Sequence, residues 1–362
     1  MGLNISSMLK RGASNALLGL DIGTSAVKML ELSAGGKSGY RVERYVIQPL
    51  PKGAMVDGNV IDFDAVVGAI EEAKKELRSS AHNVAMALPT AAVINKRIVM
   101  PAGLRDEEME SQVESASAQY IPFAMDEVSL DFQIIGPSLG NEEEVDVYVC
   151  ASKRERVDEY VAVAEGAGLK ATVVTEDTLA LLGAYEFARE AYPNNASGEI
   201  VMLAEVASAN TRINILRDDN IIYSRDQDIG GEQLTNDIVA HYGMSFEEAE
   251  EAKLSGNLPD GYKNEVLAPY LDSLGMEISR ALQFFFTSTQ YSRINRIVLC
   301  GGGAVVPGIA DAVAQRTNVE TSIANPFVNM SRATSSRIRN LEKDMPALLT
   351  VCGLALRRFD PS

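Results

Sequence analysis

Short apolar runs separated by glycine-rich or charged turns recur along the chain, and two groups of them share one pattern. Leu17–Asp21, Val27–Ser33 and Tyr40–Gln48 read as three strands, with the first apolar enough to be central and buried. From Glu199 the pattern returns as Ile200–Glu205, Thr211–Leu216 and Ile221–Asp228. Glu205, Ala207 and Thr211 take the places of Asp21, Gly23 and Val27. The chain therefore reads as an internal duplication, two three-strand units each followed by helices.

Between the copies lies a more individual stretch. Met109, Val113, Ala116 and Tyr120 recur at helical spacing, opposite Glu107, Glu108, Glu110 and Glu114, and Pro122 ends the pattern. Val128, Leu130, Phe132 and Ile134 then alternate with Ser129, Asp131 and Gln133, predicting a strand with one face buried. A strand Val145–Ala151 follows, then a helix from Lys153 that Ser152 and Glu155 are expected to cap as a box, ending at Gly166 or Gly168. Together these elements predict a small α/β subdomain inserted in the first half. In the second half Gly230-Gly231 opens a helix, and Ser245 with Glu248 forms the capping box of another that runs to Lys253. Ile297–Cys300 is a buried strand entering Gly301-Gly302-Gly303 and then a helix, and Ala347–Phe359 is amphipathic enough to suggest a membrane helix, though a helix packed in the core is the better reading.

Composition narrows the classes. With 362 residues, 46% of them hydrophobic, the chain can bury the cores of two or three lobes. A formal net charge of −17 sets the surface as a whole against nucleic acid and anionic lipid. Three distant cysteines and two histidines leave little material for a disulfide framework, a His/Cys metal site or a Ser-His-Asp triad, and fit a reducing cytoplasm. No apolar run approaches the ~18 residues of a membrane span. Met1–Ser6 matches the myristoylation pattern, with Ile5, Met8, Leu9, Lys10 and Arg11 able to form a short amphipathic turn, but 1–16 reads better as a flexible leader.

The chemistry concentrates at the turns. Asp21, Gly23, Thr24, Ser25 and Lys28 combine backbone N–H groups, two hydroxyls and an ammonium, the donors a polyphosphate needs, with an acid able to hold hydrated Mg²⁺. The stretch resembles the first phosphate loop of the actin, Hsp70 and sugar-kinase superfamily, and it lacks the strand-to-helix Gly-Lys-Ser/Thr turn of a P-loop. In the second loop, which contains Glu205, Ala207, Asn210 and Thr211, the superfamily's Asp-x-Gly becomes Glu-x-Ala. Loss of a glycine's positive φ and displacement of any Mg²⁺ held by Glu205 predict slow or absent hydrolysis rather than lost binding. Gly301, Gly302, Gly303 and Val306 resemble the adenosine motif of the same superfamily. Gly230 and Gly231 are further nucleotide candidates. Glu250 and Lys253 share a helix face, and related folds use such a pair against ribose and adenine. Asp177, after the strand Ala171–Val174, is the candidate for positioning a water or Mg²⁺.

Gln119-Tyr120-Ile121-Pro122-Phe123-Ala124-Met125-Asp126-Glu127-Val128 and the residues on to Gln133 make the resemblance specific. They resemble the signature of the PilM family of type IV pilus assembly, and the likeness runs from Leu17 to Arg358. It implies an α/β, actin-like (ribonuclease H-like) duplicated fold with FtsA-type subdomains around a nucleotide cleft. These would be 1A (17–83 and 173–198), 1C (84–172), 2A (199–228 and 294–362) and 2B (229–293). The resemblance further implies ATP with Mg in the cleft, and a groove beside 1C for the cytoplasmic N-terminal tail of the inner-membrane protein PilN. Tyr120, Ile121, Phe123 and Val128 are groove candidates that could equally be core. It places the protein in the cytoplasm, peripheral at the inner membrane through PilN, near pilus motor ATPases whose identity stays open, as does homo-oligomer formation. Two other readings stand beside it: a small-molecule kinase of the sugar-kinase type, and an FtsA-like, membrane-recruited filament former.

Overall fold

Both repeated strand groups form antiparallel meanders in the computed structural model, which describes residues 16–36, 39–138, 140–218, 220–334 and 338–360. The Met1–Ser6 motif lies outside the described residues. Two units emerge, one comprising the described residues of Met1–Ala184, Ser331–Ile338 and Thr350–Ser362, the other Tyr185–Met330 with Arg339–Leu349.

Unit 1 begins with β1 (Leu17–Ile22), β2 (Ala26–Ala34) and β3 (Tyr40–Pro49), followed by the small hairpin β4 (Met55–Val56) and β5 (Asn59–Val60). Helix α1 (Phe63–Leu77) starts where the Asp62 carboxylate accepts the Ala65 N–H at 3.0 Å, and it buries Val66, Ala69, Ile70, Ala73 and Leu77 along one stripe. Next, β6 (Asn83–Leu88) runs parallel to β1. The chain then leaves this sheet to build a second one from β7 (Val93–Pro101), β8 (Val128–Ser138) and β9 (Asn141–Lys153), in the order β7-β9-β8. Helix α2 (Asp106–Ser117) covers one face of it, where Met109 and Val113 meet Met100, Val147 and Val149. Helix α3 (Arg154–Gly166), β10 (Lys170–Glu176) and α4 (Asp177–Arg189) return to the first sheet.

The ends of the stretch 84–172 thus pair outside the inserted sheet. β6 lies between β1 and β10 in the large sheet, and α3 packs Tyr160, Val163 and Ala164 into the core of α1. The capping box expected at Ser152 and Glu155 does not form. Lys153 is the N-cap, without a side-chain cap, and the Ser152 hydroxyl instead donates to the Ala92 carbonyl at 2.8 Å, tying β9 to the start of β7.

Unit 2 repeats the frame. β11 (Ile200–Val206), β12 (Thr211–Arg217) and β13 (Asn220–Gln227) form its meander, followed by α5 (Gly231–Tyr242), α6 (Phe246–Ser255) and α7 (Ala268–Ser288). Then come β14 (Arg296–Cys300), α8 (Ile309–Thr317) and β15 (Thr321–Ile323), giving the order β13-β12-β11-β14-β15 with β11, β14 and β15 parallel. Unit 1 has the same arrangement in β3-β2-β1-β6-β10, where β1, β6 and β10 are parallel. One large core joins Met202, Ala204 and Val206 to Leu274, Ile278 and Phe285 of α7.

The chain closes with β16 (Ser331–Arg332) beside β3, α9 (Leu341–Asp344) and α10 (Leu349–Leu356). The stretch Ala347–Phe359 packs into the core as read: Leu348, Leu349, Val351, Cys352, Leu354 and Ala355 are each at most 2% exposed, while Leu356–Phe359 are half-buried. From Thr350 on it belongs to unit 1. A Cβ on Gly353 would stand 1.7 Å from the Ala180 carbonyl oxygen, so only glycine lets α10 lie backbone to backbone on α4.

Candidate functional site

Ligands of open α/β sheets bind outside the carboxyl ends of parallel strands. In unit 1 those ends carry Asp21 and Gly23 after β1, Thr90 after β6 and Asp177 after β10. The three-residue turn Gly23-Thr24-Ser25 closes with the Gly23 N–H donating to Ala26 O at 3.0 Å, leaving Thr24 and Ser25 exposed. Register sets Asp21 opposite Lys28, whose Nζ lies 2.8 Å from Asp21 Oδ2, with side chains 14% and 17% exposed. Gly23 has no positive φ. A Cβ there would meet Ala26 O at 3.2 Å, so the residue is small for space rather than for backbone freedom. Asp177 accepts the Thr90 N–H at 3.1 Å and the Thr90 hydroxyl, and the Thr90 and Thr178 hydroxyls stand 2.6 Å apart. Burial raises the Tyr160 phenol, with the charges of Asp177 and Asp21 adding to it, and its hydroxyl donates to Gly58 O at 2.8 Å.

Unit 2 places Glu205 at the end of β11, Ala207 just after it and the triple glycine after β14. The Ala207 N–H donates to Asn210 O at 2.9 Å, the same closing bond as at Gly23. Ala207 also lacks a positive φ, so the expected cost of replacing glycine by alanine does not arise through the backbone angle. The loop is stitched to the start of α5, since the N–H groups of Gly231 and Glu232 donate to the carbonyls of Ala207 and Ser208 at 2.8 and 2.9 Å. A Cβ on Gly230 would fall 2.3 Å from Ser208 O. Gly301 has φ +86° with its would-be Cβ 2.5 Å from Val206 O, and a Cβ on Gly303 would be 2.4 Å from Val206 Cγ1. Gly302 has nothing within 4 Å. The triple glycine is thus two packing positions around one open one.

Glu250 and Lys253 are not on a solvated face. Lys253 Nζ donates to Glu250 Oε1 at 2.7 Å, to Thr235 Oγ1 at 2.6 Å and to Gly231 O at 3.2 Å, while the buried Thr235 hydroxyl donates to Glu250 Oε1 at 2.7 Å. The network ties α6 to the first turn of α5 and sets the pair beside Gly231. Two sequence candidates are interior. Thr211 is fully buried with its hydroxyl donating to Ile229 O at 2.6 Å, and Val306 is 7% exposed within the main core. They shape the site by packing.

The inserted sheet separates its candidates too. Ile121 and Val128 are each 5% exposed and pack with Ala151, while Tyr120 and Phe123 flank that core with Lys96 and Lys153 over their rings at 4.3 and 4.6 Å. The opposite face holds groups that the sequence reading passed over. Asn95, Cys150 and Asp131 lie side by side in register, with Arg97, Tyr148 and Gln133 in the next row. Asn95 Nδ2 donates to the buried Glu176 carboxylate at 3.0 Å. Burial, then the charge of Glu176, pushes the Cys150 thiol up to about 12, and burial raises the Tyr148 phenol. Burial also raises the Asp131 carboxyl, against the pull of Arg357. Gln133 Oε1 and Arg357 Nη2 are buried without hydrogen-bond partners. The alternation in β8 already set Asp131 and Gln133 apart from Leu130 and Phe132, and that was the available signal.

The chain matches the family profile described as type IV pilus assembly protein PilM over residues 19–359. Among solved structures it is similar to a PilM–PilN type IV pilus biogenesis complex, with 29% identity, a TM-score of 0.76, and coverage of 96% of this chain and 99% of that one. The ethanolamine utilization protein EutJ of Carboxydothermus hydrogenoformans shares 15% identity and a TM-score of 0.57, covering 96% of this chain and 92% of that one. The fold is the mixed α/β fold of actin-like ATPases.

Proposed function

Because the chain belongs to the PilM family of type IV pilus assembly proteins, we propose that it is an ATP-binding scaffold that holds the N-terminal cytoplasmic tail of PilN and links the inner-membrane platform to the cytoplasmic assembly machinery. The observation that carries the nucleotide half of this reading is the loop after β1. Two exposed hydroxyls and a cation stand at the carboxyl end of a central strand, with an acid in register. These residues fit a polyphosphate. Lys28 would trade Asp21 for a phosphate, and each unit has an acid at its own loop, Asp21 in the first and Glu205 in the second, able to hold Mg²⁺ through water, the ion neutralising phosphate charge. Gly302, with open space at its Cα, suits close approach of a flat base. Asp177, oriented by Thr90, would position a water. Membrane attachment through PilN is part of the proposal; among the described residues no helix is long and apolar enough to cross a membrane.

Calorimetry with ATP and with a synthetic PilN tail peptide tests both halves. Binding of each is expected, with ATP turnover far below the roughly 1 per second of ordinary enzymes. Turnover stimulated by a panel of polyols would favour the small-molecule kinase instead.

For the tail, the aromatic rim of Tyr120 and Phe123, supported from beneath by Ile121 and Val128, offers apolar contacts to an extended peptide. A second seat is favoured by the unpartnered Gln133 Oε1 and Arg357 Nη2 on the opposite face, since buried polar groups are normally paired. Phe123→Ala and Gln133→Leu separate the two. Whichever weakens peptide binding about tenfold marks the seat, and unchanged affinity in both removes the inserted sheet from the partner site.

A further inference from the structure

We infer that unit 2 carries an anion pocket at the start of its parallel strands, built around Arg217 and Arg293, and that its ligand is the phosphate group of a monoester. The pocket stands apart from the unit-2 candidates for nucleotide. Those lie at the carboxyl ends of β11 and β14, whereas this pocket of about 250 Å³ opens where β11 begins, at Gly198 and Ile200. The length of the strand, at ~3.3 Å per residue, puts ~20 Å between the two places.

The chain builds the pocket on a pinned arch. At the end of α7 the Thr289 hydroxyl donates to Phe285 O at 2.8 Å and accepts the Tyr291 N–H at 3.3 Å. Just before β14 the Asn295 N–H donates to Ile200 O and the Asn295 Oδ1 accepts the Ile200 N–H, both at 2.8 Å. Between these pins the Tyr291 ring stacks on the fully buried Phe285, with centroids 5.8 Å apart. Gln290, Ser292 and Arg293 thus sit on a short segment fixed at both ends. Ladder register sets Arg217, the last residue of β12, directly opposite Ile200, which brings the second guanidinium to the same pocket.

Charge selects the ligand. The chain has 50 acids against 33 lysines and arginines, yet two arginines and no Asp or Glu line this pocket. The acids next to it in sequence are engaged. Glu199 accepts from Arg296 Nε and Nη2 at 2.7 and 3.2 Å, and Asp218 Oδ1 accepts the Gly198 N–H at 2.8 Å, reaching Arg217 through its charge alone. Arg217 Nη1 meets only the neutral Tyr291 hydroxyl, at 3.5 Å, and its guanidinium lies 5.8 Å from that ring. Arg293 is exposed and forms no ion pair among the described residues. Two planar forks, with the Ser292 hydroxyl and the amides of Gln290 and Asn295 as further donors, suit the tetrahedral oxygens of a phosphate. A carboxylate, with two oxygens in one plane, would leave donors unused.

The test is calorimetry of the full chain with glycerol 3-phosphate, inorganic phosphate and acetate at fixed ionic strength, on the wild type, Arg293→Gln and Arg217→Gln. Both phosphates are expected to bind, and acetate about tenfold more weakly. Each substitution should weaken glycerol 3-phosphate about tenfold and flatten its salt dependence. Arg293→Gln, at an exposed position outside any ion pair, carries the test should Arg217→Gln melt early through loss of its Tyr291 contact. Vesicles separate the sources of the phosphate. Flotation with phosphatidylcholine vesicles containing phosphatidic acid, abolished by Arg293→Gln, assigns it to a lipid headgroup; soluble binding without flotation assigns it to a free monoester. A wild type that binds neither phosphate nor these vesicles, acetate bound as tightly as phosphate, or phosphate affinity unchanged in folded Arg293→Gln overturns the site.

Discussion

The loop after β1 and the loop after β11 share a frame and present opposite chemistry. Both begin with an acid two residues before a closing N–H to carbonyl bond, and both set a cation across the ladder from that acid. The first spends three residues on the turn and leaves two hydroxyls exposed. The second spends four, and its carbonyls are bound by the start of α5 while Gly301 and Gly303 press against Val206. Duplication preserved register because the hydrophobic alternation enforces it: a one-residue slip would turn each core face to solvent. Nothing of that kind protects the turn residues, so one copy kept presenting groups while the other was built into its own unit.

Substitutions can break this contrast, beginning with the largest effect. Gly301→Ala should cost about 3 kcal/mol or more in urea unfolding, because alanine must adopt φ +86° with its Cβ 2.5 Å from Val206 O. Gly302→Ala, in open space, should stay within about 0.5 kcal/mol. If Gly23→Ala proved as costly as Gly301→Ala, the first loop would be as structural as the second. Thr235→Val should lose about 2 kcal/mol, since it leaves Lys253 and Glu250 short of a buried partner. Lys28→Ala should weaken ATP about tenfold by calorimetry while moving stability less than that loss of ~1.4 kcal/mol. An unchanged ATP affinity would take the first loop out of the site.

The smallest effect tests the polar face of the inserted sheet. Burial raises the Asp131 carboxyl above its ordinary value of 3.8, so its ionisation opposes folding. Its contribution is fully present below that ordinary value and is lost as pH rises through the raised one. Asp131→Asn should therefore gain stability over the wild type at pH 7, and the gain should fade in melts at acid pH. A gain that is the same at both pH values would show that Asp131 ionises as freely in the fold as in the unfolded chain.

Much of this was legible in local pattern. The strands of both copies begin and end within two residues of the alternation that predicts them, and the Ser245–Glu248 capping box forms as read, with bonds of 2.8 and 3.2 Å. Periodicity, capping and turn chemistry act over a few residues, so the chain by itself determined its elements, their duplication and the position of the phosphate-like turns. It could not determine what each face meets. Val306 lies inside because α5 and α7 share its core, Thr211 is buried with its hydroxyl on Ile229 O, and β6 and β10 left the inserted segment because β1 offered β6, and β6 offered β10, a parallel partner. Asp131 and Gln133 looked like a solvent face until Glu176 and Arg357 came up against it. Those outcomes depend on contacts between residues far apart in the chain, and long-range packing is decided only when the whole unit has folded.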